Sequence, residues 1–382
     1  MLKASKIFLP ILAVMILLGM FGAWDRLANG KANLNFGSYV PWGLWVGLYI
    51  CMVGIAGGAF VIVFLHHGLG ISHLRRASLY ALPISFFTLA MGLLLVLADL
   101  GHMERFWKLY LYPNPSSLLA SMVWVYTGFT FILLAMFLAL ARGLSHWLKP
   151  LSIAGFLLVI TFGGGEGALF GVLGAKPYWS SGLLPIRFLF SALLSGIAVV
   201  AFAMILFRNW PEDEEHNETI RFLRYLMLGL LAVNVLIEFS DYSITYYVGA
   251  PAVVEAHRLV AFGSYWWVFW IVQLLIGLLL PAVLLVPRWG VKSVNFGLAG
   301  LFIGIGYAGT KQNLVLPGLA VPDFRALPEA FVHNRLSVDY FPSFVEWLVA
   351  IGAIGAAALL FVLAIEYLPF LRTSGKGAAT AA

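Results

Sequence analysis

The chain has little charge and almost no cysteine, and both shortages exclude large classes of protein. Only 10% of the 382 residues are charged, whereas 62% are hydrophobic and the mean hydropathy is +0.95. Soluble domains carry about 25% charged residues, and disordered chains need low hydrophobicity and high charge. A water-soluble fold and a disordered chain are therefore excluded. The single cysteine, Cys51, excludes a disulfide framework, a cysteine-ligated zinc site and a cysteine-ligated iron–sulfur cluster within this chain.

Histidine is also missing where a membrane haem would need it. The eight histidines all fall near the ends of apolar stretches or between them, at His66, His67, His73, His102, His146, His216, His257 and His333. A transmembrane b-type haem needs paired histidines facing each other at depth, so we expect no haem and no metal site in this chain. The glycine-rich run 163–167 lacks the Lys-Ser/Thr pair of a phosphate-binding loop. The formal charge of +6 fits membrane lipid headgroups, and we expect no nucleic-acid partner.

Long apolar runs dominate what is present. A helix crosses a bilayer with about 20 largely apolar residues, and a β-barrel would instead show short alternating segments. Ten stretches of the sequence have the length of a spanning helix: 6–24, 41–66, 77–99, 117–141, 150–174, 184–207, 220–247, 263–286, 294–310 and 343–370. The sequence therefore predicts an all-α, polytopic integral membrane bundle of about ten transmembrane helices.

The distribution of basic residues predicts the orientation. Ten spans place both termini on one side, and more than half of the 23 Lys and Arg residues lie on that side, which indicates the cytoplasm. We expect a multi-pass protein of the cell inner (cytoplasmic) membrane, with one membrane domain over 1–382. The non-cytoplasmic connections are long and aromatic, above all 311–342, and a short tail follows at 371–382. Long loops at one face typically hold a partner or a site.

Acidic residues at membrane depth each require an explanation, because a charge there is costly. Glu166 lies inside the fifth stretch, and Glu238 and Asp241 lie three residues apart in the seventh, on one helical face. Intramembrane acids commonly line proton or ligand paths. We interpret these acids, with Lys311 after the ninth stretch, as a proton path. The alternative is that they are neutral, hydrogen-bonded packing groups.

Acidic and basic groups also gather where the third stretch ends. Asp99 closes this stretch and His102 follows it at the non-cytoplasmic edge. Both are candidates to exchange protons with a ligand, since histidine titrates near neutral pH. The alternatives are that Asp99 pairs with Arg105 and that His102 is structural. Three other charged residues near span ends are expected to reach lipid headgroups: Arg187, Glu346 and Glu366.

Aromatic residues are abundant, with 13 Trp, 15 Tyr and 30 Phe. Most fit the belts that Trp and Tyr form at membrane interfaces and the Phe-rich surface that faces lipid. Trp42, Trp45 and Tyr49 at the start of the second stretch are candidates to stack on a planar ring, and belt residues would show the same pattern.

Four segments occur in a characteristic order. The segment 39–60 opens on Pro-Trp-Gly and becomes glycine-rich, and 99–117 contains Asp-Leu-Gly-His, Phe-Trp and Asn-Pro-Ser-Ser. The segment 184–196 contains Leu-Pro and Arg187, and 340–346 leads into the last stretch. In order and spacing these segments, which span nearly the whole chain, resemble the NrfD/PsrC superfamily of membrane subunits, and within it the ten-helix branch typified by HybB and DsrP.

The resemblance implies a subunit that binds menaquinone or another quinone and holds no haem or iron–sulfur cluster itself. It implies a ferredoxin-like iron–sulfur subunit docked on the non-cytoplasmic face, together with further redox subunits. Asp241 stands where relatives have an acid after a Phe-Gly pair. Lys311 stands where relatives often have Arg, which keeps the charge and loses the planar fork.

We expect the quinone ring near the non-cytoplasmic ends of the second to fourth spans. Asp99 and His102 would exchange its protons, and four residues would bind it: Trp42, Trp45, Tyr49 and Arg105. The protein would then be a quinone-reactive subunit of a respiratory oxidoreductase, not catalytic alone, with the proton path described above coupled to electron transfer. The alternatives are a proton-coupled secondary transporter, which would typically show an inverted repeat, and a scaffold that anchors redox partners without a quinone.

Overall fold

The computed structural model describes residues 3–114, 116–208, 210–322, 324, 326–330, 333 and 336–371. Within these residues, ten helices are long and apolar enough to cross a membrane. The prediction of an all-α, polytopic membrane bundle is therefore confirmed. Pro115 of the 99–117 segment and residues 372–382 of the predicted tail lie outside the described residues.

The helices are numbered in chain order. Those of the first half are α1 (Lys3–Asn29), α2 (Leu44–His67), α3 (Arg75–Asp99), α4 (Leu118–Ala141), α5 (Ser145–Gly171) and α6 (Leu184–Leu206). Those of the second half are α7 (Glu214–Val248), α8 (Pro251–Phe262), α9 (Val268–Leu285), α10 (Ser293–Ala320) and α11 (Phe344–Tyr367). All except the short α8 are membrane spans.

The spans run up and down, so their connections gather at two faces. The long-loop face comprises the connections 30–43, 100–117, 172–183, 249–267 (which contains α8) and 321–343. The short-loop face comprises the connections 68–74, 142–144, 207–213 and 286–292. The assignment of the long-loop face to the non-cytoplasmic side stays a prediction.

The helix α10 is longer than the sequence predicted. The polar triplet 311–313 resembles the end of a span, yet the helix continues through it to Ala320. The three side chains bond inside the bundle: Lys311 to Ser191 Oγ, Gln312 to the Leu44 carbonyl and Asn313 to Gln273 Oε1. The predicted loop 311–342 is corrected accordingly, since its first part is helical and the connection begins at Val321.

The helix α2 is the centre of the bundle. In the most apolar part of each helix, 83% of the residues of α2 are buried, compared with only 17% of those of α1. A Cβ on Gly58 would overlap the carbonyl oxygen of Ala192 in α6, and a Cβ on Gly196 would overlap the α2 backbone. The peripheral α1 packs on α11, where Gly19 and Gly352 bring the two backbones into contact. Small residues allow the close approach through which membrane helices associate.

The first part of α9 is wound more widely than an α-helix. Residues Val268–Leu279 form a π-helix, and the N–H of Leu280 bonds to the carbonyl of Leu275. π-Helical segments are rare in proteins, and those that do occur are frequently found at functional sites. This segment packs on α10 through close contact of Gly277 with Gly306, and it turns Gln273 into the bundle.

At the short-loop face an ion pair joins α3 to the start of α7. Arg76 donates to both carboxylate oxygens of Asp213, at 2.7 and 2.6 Å. Asp213 also caps α7 by accepting from the backbone N–H of His216 at 3.0 Å. The hydrogen bonds from Arg76 hold the pKa of Asp213 at about 2, below its usual value. This carboxylate is therefore charged at neutral pH.

Candidate functional site

The charged residues predicted to form a path lie in the half of the bundle next to the long-loop face. With a helical rise of 1.5 Å per residue, Glu166 lies about 8 Å from the end of α5, Asp241 about 11 Å from the end of α7, and Lys311 about 14 Å from the end of α10. All three helices end at the long-loop face. These groups are thus closer to that face than to the opposite one.

A hydrogen-bonded chain of Tyr49, Tyr126 and Glu166 links α2, α4 and α5. Tyr126 donates its hydroxyl proton to Glu166 Oε1 at 2.7 Å, and the hydroxyl oxygens of Tyr49 and Tyr126 lie 2.9 Å apart. Because the Tyr126 proton points to the carboxylate, Tyr49 is the donor in the second bond. Glu166 is only 3% exposed. These two hydrogen bonds therefore connect the buried Glu166 to Tyr49 on the central helix α2.

Lys311 lies between this chain and a second polar group. Its side chain is buried, and Nζ donates to Ser191 Oγ at 3.2 Å. The ammonium lies 3.7 Å from the ring centroid of Phe188, a distance at which a cation is attracted by the ring face. Ser191 in turn donates to the carbonyl of Arg187 at 2.6 Å. Lys311 also interacts electrostatically with Glu166.

The second polar group is an ion cluster of Arg187, Glu238 and Asp241. Nη2 of Arg187 lies 3.1 Å from Glu238 Oε1, and Nη1 lies 3.2 Å from Asp241 Oδ2. The prediction that both acids share one helical face is confirmed. The expectation that Arg187 reaches lipid headgroups is wrong, because its side chain is 12% exposed and points to the two acids of α7. A buried cation is retained when opposite charges compensate its desolvation.

Amide side chains extend this cluster toward α10 and the long-loop face. Gln273 donates to Glu238 Oε1, and Asn313 donates to Gln273 Oε1 at 3.4 Å. The hydroxyl of Tyr178, in the connection 172–183, donates to the backbone carbonyl of Asn313 at 2.9 Å. Burial raises the pKa of the Tyr178 phenol, so this hydroxyl keeps its proton and remains a donor.

A cavity of about 70 Å³ lies beside the cluster, between α6, α7, α9 and α10. Its walls are largely apolar, and its polar lining comprises Arg187, Ser191, Asn234, Glu238, Gln273, Tyr307 and Thr310. A cavity needs at least about 10–15 Å³ of such space to hold a water molecule, so this one is large enough for water. The cavity therefore has room and partners for water beside Glu238.

Asp99 is the buried acid nearest to the end of its helix. It is 7% exposed, and its Oδ1 is buried without a hydrogen-bond partner in the described part of the chain. Arg26 of α1 donates to the carbonyls of Ala98 and Leu100, at 2.9 and 2.7 Å, and its charge acts on Asp99. Unsatisfied buried oxygens are uncommon. This one is free to accept a hydrogen bond from a ligand.

The structure does not bring the neighbouring candidates to Asp99. The side chains of His102 and Arg105 are 64% and 57% exposed, and both contact Glu104, at 2.9 and 3.5 Å. The alternative that Asp99 pairs with Arg105 is therefore not what the structure shows. The chain leaves α3 at Leu100 and turns through the short helix Met103–Arg105, which carries these side chains to the surface.

The three aromatic candidates on α2 differ in exposure. Trp45 is fully buried and donates its indole N–H to the carbonyl of Glu346 at 3.0 Å, which ties α2 to α11. Trp42 is half-buried and stacks on Trp179, with the ring centroids 5.8 Å apart. Tyr49 is half-buried as well. Trp42 and Tyr49 are thus the two candidates with accessible surface.

Glu346 was expected to reach lipid headgroups, and this expectation is wrong. The residue is fully buried and accepts hydrogen bonds from the Tyr340 hydroxyl and from the backbone N–H of Asn35, the latter at 2.8 Å. With Ser343 it also forms the capping box that begins α11. Glu346 therefore anchors the connection 30–43 and the connection 321–343 to the bundle.

Comparison with known proteins places this bundle in a family. The family described as "Polysulphide reductase, NrfD" matches residues 33–319, most of the chain. The chain belongs to the NrfD family. One subunit of the selenate reductase of Mesobacillus selenatarsenatis is 31% identical over 96% of this chain and 94% of that protein. The menaquinone reductase integral membrane subunit of Nitratidesulfovibrio vulgaris is 24% identical, over 92% of this chain and 88% of its own. The Hdr-like menaquinol oxidoreductase integral membrane subunit of Archaeoglobus fulgidus is 23% identical over 93% of this chain and 91% of that protein.

The resemblance inferred from the sequence is thereby confirmed at the level of the family, and the narrower branch stays a prediction. In this NrfD-family chain the four segments that carried the resemblance meet at the long-loop face. The segment 39–60 forms the start of α2, 99–117 follows α3, 184–196 forms the start of α6, and 340–346 begins α11. The segments therefore frame the same end of the bundle as the polar groups.

Several residues of the site were not predicted from the sequence of this NrfD-family protein: Tyr126, Tyr178, Ser191 and Gln273. Gln273 carries a signal, since it is the polar residue in the apolar run 268–279. Ser191 lies within the 184–196 segment. The tyrosines resemble many others in an aromatic-rich chain, and only their partners distinguish them.

Proposed function

We propose that this chain is the quinone-reactive membrane subunit of a multi-subunit respiratory oxidoreductase. Two relatives, matched over nearly their whole length, are named as membrane subunits of a menaquinone reductase and of a menaquinol oxidoreductase, and a third is named as a subunit of a selenate reductase. These names support redox partner subunits and a menaquinone-type substrate. A quinol releases protons together with its electrons, so its binding site needs groups that accept the protons, while the electrons pass to a partner subunit.

The observation that carries this proposal is the buried, unpartnered Oδ1 of Asp99. It lies at the long-loop end of α3, where α2 also begins and α3 packs on α2. A ring hydroxyl is a hydrogen-bond donor that this oxygen lacks, and the half-buried Trp42 and Tyr49 present aromatic surface on α2. In our proposal Asp99 exchanges protons with the ring, Trp42 and Tyr49 contact it, and the exposed His102 and Arg105 take part only from the surface side, whereas the fully buried Trp45 holds α2 in place.

The long-loop face is proposed to bind a ferredoxin-like iron–sulfur subunit, with further redox subunits beyond it. The size of its connections supports this, because long loops on one face commonly carry binding residues. Several aromatic residues of these connections are exposed: Phe106, Trp107, Tyr112, Phe324 and Phe341. Aromatic residues are enriched in protein interfaces. We place this face on the non-cytoplasmic side of the inner membrane and both termini in the cytoplasm.

The buried charged groups are proposed to move protons in step with electron transfer. Glu166 connects through two tyrosines to α2, and Lys311 connects through Ser191 to Arg187. Glu238 and Asp241 follow on the other side of Arg187, with the cavity beside Glu238. Hydrogen-bonded acids with room for water are suited to passing protons.

The experiment compares Asp99→Asn with Asp25→Asn in the complex purified from its own membranes in mild detergent. Asp25 is the matched control, since it is an acid at the same end of the bundle whose carboxylate accepts hydrogen bonds from Asn29 and Asn33. We expect Asp99→Asn to lose quinol-dependent electron transfer by about 10²-fold or more, the usual contribution of positioned acid–base groups. Asp25→Asn is expected to retain it.

Mass spectrometry of the same preparations identifies the partner subunits and any co-purified quinone. Normal turnover in both Asp99→Asn and His102→Gln would refute the assignment of the proton-exchanging residues. A chain that purifies alone, without quinone, and transports a solute in liposomes would refute the proposed function and support a transporter.

A further inference from the structure

His257 lies at the edge of the ion cluster, in a buried position. It belongs to α8, within the connection 249–267, and it is 1% exposed. Three tyrosine rings lie near it: the imidazole centroid is 4.4 Å from that of Tyr242, 5.2 Å from that of Tyr178 and 6.3 Å from that of Tyr246. A histidine in such a place is shielded from water on the side that faces the bundle.

The hydrogen bond at one ring nitrogen determines the chemistry at the other. Nδ1 lies 3.0 Å from the carbonyl of Val253, and a carbonyl can only accept. Nδ1 therefore carries a proton. Nε2 is buried, has no hydrogen-bond partner in the described residues, and lies 3.7 Å from Asp241 Oδ2. A neutral imidazole would then direct its Nε2 lone pair at a carboxylate, which is unfavourable.

The ion cluster beside His257 carries one net negative charge when the imidazole is neutral. Across from it, α7 supplies the two acids Glu238 and Asp241, and α6 supplies one cation, Arg187. On α10, the charge of Lys311 is engaged with Ser191, Phe188 and Glu166. The charged residues of α8 itself, Glu255 and Arg258, are exposed. The cluster of one cation and two anions becomes neutral when His257 is protonated at both nitrogens.

We propose that His257 holds an exchangeable proton for the Arg187–Glu238–Asp241 cluster, delivered from Nε2 to Oδ2 of Asp241. When both ring nitrogens carry a proton, the positive charge of the imidazolium balances the negative charge of the second carboxylate. When the proton moves, the Nε2–H bond breaks, an Oδ2–H bond forms, and the imidazole becomes neutral with its remaining proton on Nδ1. Because α8 belongs to the long-loop face, His257 is the point at which the cluster exchanges protons with that face. This role rests on the proposed proton movement, whereas the proton occupancy of His257 does not.

The proton occupancy can be measured directly. The full chain, labelled with 15N-histidine and held in detergent, gives imidazole resonances whose shifts distinguish the imidazolium from the two neutral tautomers. His257→Gln identifies the resonance, and His146→Gln, which removes an exposed histidine of α5, is the matched control. We expect an imidazolium at neutral pH in the wild type.

Asp241→Asn separates this proposal from a purely structural histidine. Because Nε2 faces Asp241 Oδ2 at 3.7 Å, removing the negative charge of this carboxylate should lead to loss of the imidazolium resonance of His257. A resonance that stays in the neutral, Nδ1-protonated form throughout, or one that Asp241→Asn leaves unchanged, would overturn the proposal.

Turnover of the purified complex then tests the role in proton exchange. We expect His257→Gln to slow quinol-dependent turnover and to shift its pH profile, and His146→Gln to do neither. An imidazolium that responds to Asp241→Asn in a complex without quinol activity would leave the occupancy standing and refute the proposed function. An unchanged pH profile in an active His257→Gln complex would refute the role of His257 alone.

Discussion

Replacing Arg187 tests the buried ion cluster most directly. Its guanidinium lies 3.1 Å from Glu238 and 3.2 Å from Asp241, with 12% of the side chain exposed. Arg187→Met keeps the length of the side chain and leaves both carboxylates without their cation in surroundings of low dielectric constant. Removing one partner of a buried pair costs about 3–5 kcal/mol. We expect the free energy of unfolding to fall by that amount.

Unfolding is measured by titrating the protein in mild detergent with SDS and following circular dichroism. Arg142→Met, which removes an exposed arginine at the short-loop face, is the control and should stay within about 0.5 kcal/mol of the wild type. Adding Glu238→Gln to Arg187→Met should recover part of the loss, because one uncompensated charge disappears. Arg187→Met with wild-type stability, or a double variant whose loss is the simple sum of the single losses, would refute the coupled cluster.

Two further predictions concern the short-loop face and the centre of the bundle. The Arg76 guanidinium lowers the pKa of Asp213 from 3.8 to about 2, so the stability from this carboxylate is complete above the ordinary pKa and is lost as the pH falls through about 2. The melting temperature of the wild type should therefore fall more steeply over this pH range than that of Asp213→Asn, and equal slopes would contradict the pairing. Gly58→Ala should cost about 1–3 kcal/mol by overpacking α2 against α6. Gly101→Ala, where a Cβ meets no atom within 4 Å, should cost nothing measurable, and equal melting temperatures for the two would exclude the close packing.

The membrane spans could be predicted from the sequence because length and apolar composition determine them. The end of α10 could not, because polar residues in sequence look alike whether they meet headgroups or partners. Lys311 continues the helix since Ser191 of α6 accepts from its ammonium and Phe188 faces it. The burial of Glu346 could not be predicted for the same reason. Its partners Tyr340 and Asn35 come from two different connections, and Asn35 lies 311 residues earlier in the sequence.

The candidate site divides along the same line. Helical periodicity predicts that Glu238 and Asp241 face one way, since it depends on one helix alone. Their partner Arg187 lies 51 and 54 residues earlier in the chain, and only the packing of α6 on α7 brings it to them. Proximity in sequence is no better a guide, because the turn after Leu100 carries His102 away to the surface.

The buried acids are stabilised by partners from other helices, and these partners define the proposed proton path. Glu166 depends on Tyr126 of α4, and the acids of α7 depend on Arg187 of α6 and face His257 of α8. A charge at depth persists only with such compensation. Because the predicted path lies within about 15 Å of the long-loop face, exchange with that face takes fewer steps than exchange with the opposite one. In this proposal the quinone, the iron–sulfur partner and the buried acids all lie toward one side of the membrane. The electrons of the quinol then pass to the partner and its protons to the acids, each over a short distance.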